Sequence, residues 1–144
     1  MISNLQDYFK PELDIFLDTV SYKRIESECK EAKQEFTLLC QDNVKVSLIS
    51  EGVRVIVTRS LVFDPEKIFS MSVSFGTDLK FNDKKSEYDW ERVDLAEEFR
   101  ENGDFVTAQL MSRISLIIGQ ITSSFGQQPL IIQPMLAKKT PSEN

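Results

Sequence analysis

Val53-Arg54-Val55-Ile56-Val57-Thr58, the turn Asp64-Pro65-Glu66-Lys67, and Phe69-Ser70-Met71-Ser72-Val73-Ser74-Phe75 form the stretch that decides the fold. Val53, Val55 and Val57 recur with period two against Arg54, Ile56 and Thr58. Ser70, Ser72 and Ser74 alternate strictly with Phe69, Met71, Val73 and Phe75. Period two belongs to a β-strand, and hydroxyls on one side with large apolar groups on the other mean one wet face and one buried face. Asp64-Pro65 signals a turn, because proline presets the turn dihedral and aspartate bonds the backbone ahead of it. Two such strands joined by a short turn are antiparallel neighbours.

Upstream, Val44, Val46 and Leu48 alternate with Lys45 and Ser47, and Glu51-Gly52 turns the chain into the valine strand. Phe36, Leu38 and Cys40 alternate with Thr37 and Gln41. Gln41-Asp42-Asn43 then reads as a turn between these two runs. Leu13 to Ile25 is a strand by its β-branched and aromatic content, although its alternation is imperfect. Residues 26–35 have no apolar period and read as a loop or a short solvated helix. Residues 2–12 fit a short helix or an extended arm equally well.

Downstream, Gly76 to Glu87 is polar apart from Leu79 and Phe81, a strand end or loop. Asp89 is expected to cap a short acidic helix that ends at Asn102-Gly103-Asp104. The clearest helix runs from about Thr107 to Ser124. There Leu110, Ile114, Ile117, Ile118, Ile121 and Phe125 fall at spacings of three and four, with Met111 widening the stripe. Gly126 is its expected cap, and Leu130-Ile131-Ile132 follows between Pro129 and Pro134. The expected fold class is α+β: a four-stranded antiparallel sheet, a long C-terminal helix packed against it, and a short acidic helix before that. Residues 1–136 are expected to form one domain, with a disordered tail over 137–144.

Composition excludes several activities. The 144 residues carry a net charge of −6, and no run of Lys and Arg interrupts it. Such a surface repels phosphates, so nucleic acid and anionic membranes are poor partners, whereas basic polypeptides are not. Histidine is absent. That removes Ser-His and Cys-His activation, imidazole proton transfer and imidazole metal ligands. No phosphate-cradling glycine motif and no calcium loop occurs. The carboxylate pairs Glu97-Glu98, Asp64/Glu66 and Asp89/Glu91 read as solvated charge. The expectation is a protein that is not an enzyme and needs no cofactor or metal. Cys29 and Cys40 are not spaced as C-x-x-C, and the N-terminus lacks a basic segment followed by an apolar core. Reduced thiols, a cytoplasmic location and no membrane insertion are expected.

The strand stripe and the helix stripe most simply pack on one another. Methionine and phenylalanine also suit a surface that accepts many polypeptides, since methionine repacks easily and phenylalanine supplies area. The candidate polypeptide-binding side chains are Phe63, Phe69, Met71, Phe75, Met111 and Leu116.

Two segments together resemble the SecB superfamily. Gly52-Val53-Arg54-Val55-Ile56-Val57-Thr58-Arg59-Ser60-Leu61, with Ile68-Phe69-Ser70-Met71-Ser72-Val73, is similar to that family's central hairpin. Arg113-Ile114-Ser115 through Ile121-Thr122-Ser123-Ser124-Phe125-Gly126, then Gln128-Pro129-Leu130-Ile131-Ile132-Gln133-Pro134, is similar to its long helix and apolar exit. The resemblance covers roughly half the chain. It implies a nucleotide-independent chaperone, a dimer or tetramer, that holds unfolded or partly folded polypeptides in apolar grooves. It also implies delivery of clients to a translocase motor. The family's acidic, glycine-ended tail is not matched by Lys138 to Asn144, and 83–102 looks like an insertion. A divergent member serving one client, such as an unstable antitoxin, is therefore an equal expectation. The competing expectation is a scaffold of the same fold that binds one folded partner through its acidic surface.

Overall fold

The computed structural model describes residues 2–25, 37–64, 68–124 and 130–136. The expected tail, the Gly126 cap, Phe125, Cys29 and the 26–35 segment lie outside the described residues.

Four strands form one sheet: β1 (Asp14–Ile25), β2 (Thr37–Ile49), β3 (Gly52–Asp64) and β4 (Ile68–Lys80). Their order is β1-β4-β3-β2, with every neighbouring pair antiparallel. The alternation in β3 and β4 does what its period demands. Val53, Val55, Val57 and Leu61 are buried on the same side as Met71, Val73 and Leu79. Thr58, Ser60, Ser72 and Ser74 lie on the other side.

One reading of the strands changes. Gln41-Asp42-Asn43 is not a turn, because β2 runs unbroken through it and pairs with β3 throughout. Asp42 faces Arg59 across that ladder, so its partner is seventeen residues away in sequence and invisible to local turn chemistry. The imperfect alternation of β1 has a physical cause as well. A register shift against β4 between Leu17 and Thr19 inserts Asp18 as a bulge. Leu17, Val20 and Tyr22, opposite Phe75, Val73 and Met71, therefore share one face despite their odd spacing.

The helices are α1 (Leu95–Asn102) and α2 (Asp104–Ser123). Both cover the apolar face, α2 across β4 and β3 and α1 over β2. Asp89 does not cap α1. Trp90–Arg92 forms a 3-10 turn, and the Asp94 carboxylate accepts the Glu97 amide at 3.3 Å instead. Gly103 closes α1 and opens α2, so α2 starts a turn earlier than its apolar stripe. Val106, Leu110, Met111, Ile114 and Ile118 are buried from α2. Each such side chain contributes about 1.5–3 kcal/mol on burial.

The N-terminal residues are neither purely helix nor purely arm. Leu5–Tyr8 is a 3-10 turn, and Phe9 then pairs with Phe81. Phe9 stacks on Phe81 at 5.2 Å and meets Trp90 and Phe99 within 5.8 Å, which closes the core at this end.

Candidate functional site

Segment 130–136 has no regular secondary structure, yet it lies along the fold as a strap held by three side chains. Thr122 Oγ1 accepts the Leu130 amide at 2.7 Å, and Ser115 Oγ donates to the Ile132 carbonyl at 2.8 Å. Ser115 and Thr122 are two turns apart on α2 and so share a helix face. The third anchor is Arg59, whose Nη1 and Nη2 donate to the carbonyls of Gln133 and Met135 at 2.8 and 2.7 Å. Pro134 suits this place, because the Met135 amide bonds the Gln133 carbonyl at 2.8 Å in a tight three-residue turn centred on it.

The Arg59 side chain is 2% exposed and that of Asp42 is fully buried. The guanidinium meets both carboxylate oxygens at 2.8 Å. Four of its five N–H groups thus have acceptors, which makes burial of the charge tolerable. Cys40 sits beside the pair as a free thiol, and burial pushes its pKa up.

Between α2 and the strap runs an open groove of about 450 Å³, and Leu116, Gly119, Gln120, Ile131 and Pro134 are among its walls. Leu116 is 61% exposed and Ile131 77%. Serines line the groove too, but their hydroxyls are already engaged. Ser112 Oγ donates to the Ala108 carbonyl, Ser123 Oγ to that of Gln120, and Ser115 Oγ to the strap. What they offer a guest is mostly hydrocarbon. None of the described side chains lining the groove is titratable. It can take up apolar side chains, and its described walls carry no carboxylate, amine or thiol. Among the described residues, no three His, Cys, Asp or Glu side chains stand together as a metal site. No described helix is long and apolar enough to cross a membrane.

The six sequence candidates part company. Leu116 lines the groove. Phe63 is half-buried and meets Phe69 edge-on at 5.1 Å, and Phe69 in turn meets Tyr22 at 5.7 Å. An aromatic row thus crosses β3, β4 and β1 at one end of the sheet. Phe69, Met71 and Phe75 are buried on β4, and Met111 is fully buried under α2. Sequence reasoning did not single out Ile131, Met135 or the half-exposed edge residues Leu17, Val20 and Tyr22 as a surface. The bracketing prolines were the available signal for the strap.

The same fold occurs in a solved SecB-like chaperone. The chain superposes on Mycobacterium tuberculosis Rv1957, a SecB-like chaperone solved in complex with a ChAD peptide from the Rv1956 HigA1 antitoxin. The TM-score is 0.68 over 92% of this chain and 91% of that one, at 13% identity. A protein of unknown function from Streptococcus agalactiae aligns over 84% of this chain and 96% of its own at 12% identity, but its TM-score of 0.38 is too low to bear on the fold. No family model and no curated protein matches the sequence.

Proposed function

We propose that this chain is a nucleotide-independent chaperone that holds unfolded or partly folded polypeptides, seating their apolar side chains in the groove between α2 and the strap. The observation that carries this reading is the groove itself: open, largely hydrocarbon-lined, and without a titratable side chain among its described walls. A non-directional hydrophobic drive tolerates many client sequences. The net charge of −6 favours clients that are basic as well as apolar. The fold shared with a chaperone solved in complex with an antitoxin peptide supports an antitoxin as one kind of client; an export client bound for a translocase motor is the other kind proposed. The work belongs in the cytoplasm, where such chains appear.

Self-association forms part of the same reading. Strand β1 is a sheet edge, and Leu17, Val20 and Tyr22 extend its apolar face to 51, 42 and 40% exposure. An edge with exposed apolar side chains of this kind invites pairing, so the protein is proposed to work as a homodimer or homotetramer.

The test is suppression of aggregation of an unrelated, chemically unfolded protein at two ionic strengths. Protection that survives high salt is expected. No protection at molar excess, with salt-sensitive binding of a folded partner instead, would favour the scaffold.

A further inference from the structure

The strap supplies one wall of the groove, and Arg59 bonds its backbone. Segment 130–136 contributes Ile131 and Pro134 to the groove, and Ile131 and Met135 stand well exposed. Leu130, Ile132 and Leu136 alternate with them and pack partly buried against the core. Side-chain hydrogen bonds fix the strap's backbone as well: Thr122 at Leu130, Ser115 at Ile132, and Arg59 at Gln133 and Met135. Of these anchors only Arg59 comes from the sheet. It is also the only one charged, buried and fixed by a second bond set, the two-point pair with Asp42. We propose that Arg59, oriented by Asp42, is the positioning residue of the strap, and through the strap of the client groove. This deepens the chaperone reading and rests on it for the groove's use.

Geometry explains why arginine is needed. The guanidinium is a planar fork: one side meets the two oxygens of Asp42, and two of the remaining three N–H groups point at two carbonyls held side by side by the turn at Pro134. A lysine ammonium at the same place keeps the charge for Asp42 but is a single point. It cannot reach a carboxylate and both carbonyls from one position.

Two variants separate positioning from folding. Arg59→Lys keeps the ion pair. The double variant Arg59→Met with Asp42→Leu replaces the buried pair with apolar groups of similar size, a change a core commonly tolerates. Hydrogen exchange is read at the amides of 130–136 and, as an internal control, at those of β3 and β4. Binding of a permanently unfolded, basic, apolar model polypeptide is measured in parallel. In both variants, strap exchange should rise at least tenfold while the sheet amides stay protected, and client affinity should fall about tenfold. Strap protection unchanged in both variants would overturn the proposal. So would a released strap with wild-type affinity, which would show that the groove does not need its wall. A wild-type protein that binds no client would sink the chaperone reading alone, and the exchange data would still decide what Arg59 does.

Discussion

The Ser115 hydroxyl donates to the Ile132 carbonyl at 2.8 Å, tying the middle of the strap to the outer face of α2. That bond leaves Leu116 and Ile131 standing free beside it, 61 and 77% exposed. Ser115→Ala removes the bond without touching the apolar walls. It should cost about 0.5–1.5 kcal/mol in urea unfolding and loosen the strap's exchange protection.

Replacing the walls is a separate matter. Leu116→Asp and Ile131→Asp put charge where a guest's hydrocarbon should sit. Neither side chain is in the core, so unfolding free energy should move by no more than about 0.5 kcal/mol. Affinity for an unfolded model polypeptide should fall at least about tenfold, roughly 1.4 kcal/mol. Fluorescence anisotropy with a labelled client reads the second quantity and urea titration the first.

The assembly prediction concerns the opposite edge of the molecule. Val20→Lys on β1 places a charge in the exposed row formed with Leu17 and Tyr22. Lysine is a common way to keep an edge strand from pairing. Light scattering should show a larger particle for the wild type and a smaller one for the variant. A wild type that is monomeric at tens of micromolar would rule out the edge-pairing account.

Close backbone approach sets the fourth expectation. A Cβ at Gly52 would overlap the Leu79 carbonyl, whereas at Gly76 it would meet the end of the Phe16 ring at 2.6 Å. A ring can swing away and a paired strand cannot. Gly52→Ala should therefore destabilise clearly more than Gly76→Ala, by about 1 kcal/mol or more. Thermal unfolding of the two variants side by side decides it.

Acid stability has a definite sign. The Arg54 guanidinium grips Asp78 at 2.8 and 3.0 Å and holds its carboxyl below the usual carboxylate range. A depressed folded pKa adds stability above the unfolded pKa, and that stability is lost as pH falls through the folded value. Both side chains are partly exposed, 47 and 28%, so solvent screening keeps the pair's contribution small. Asp78→Asn should be slightly less stable than wild type at pH 7, with the gap closing in acid. A gap that does not change with pH would show that the carboxylate's charge is irrelevant.

The sheet was legible because its signal is local. Strict alternation of serine with Phe69, Met71, Val73 and Phe75 reports a half-buried strand without help from the rest of the chain. The stripe Leu110, Ile114 and Ile118 announces α2 in the same way. Asp42 failed for the opposite reason. A polar triplet reads as a turn unless one knows that Arg59 lies across the ladder, and that pairing is set by the fold. The site was half-legible. Leu116 could be chosen as an apolar residue, but its exposure depends on where the strap docks, and the docking rests on hydrogen bonds to three distant side chains. Phe69 and Met71 are buried on the apolar face, and strand periodicity marks such a face without saying what covers it.

The most direct test of the account is site-specific photo-crosslinking with a permanently unfolded polypeptide. One crosslinker replaces Leu116 in the groove, and a second replaces Lys45 on the uncovered sheet face. The account predicts crosslinked client at position 116 and little or none at position 45. Equal crosslinking at both positions, or crosslinking at 45 alone, would contradict it.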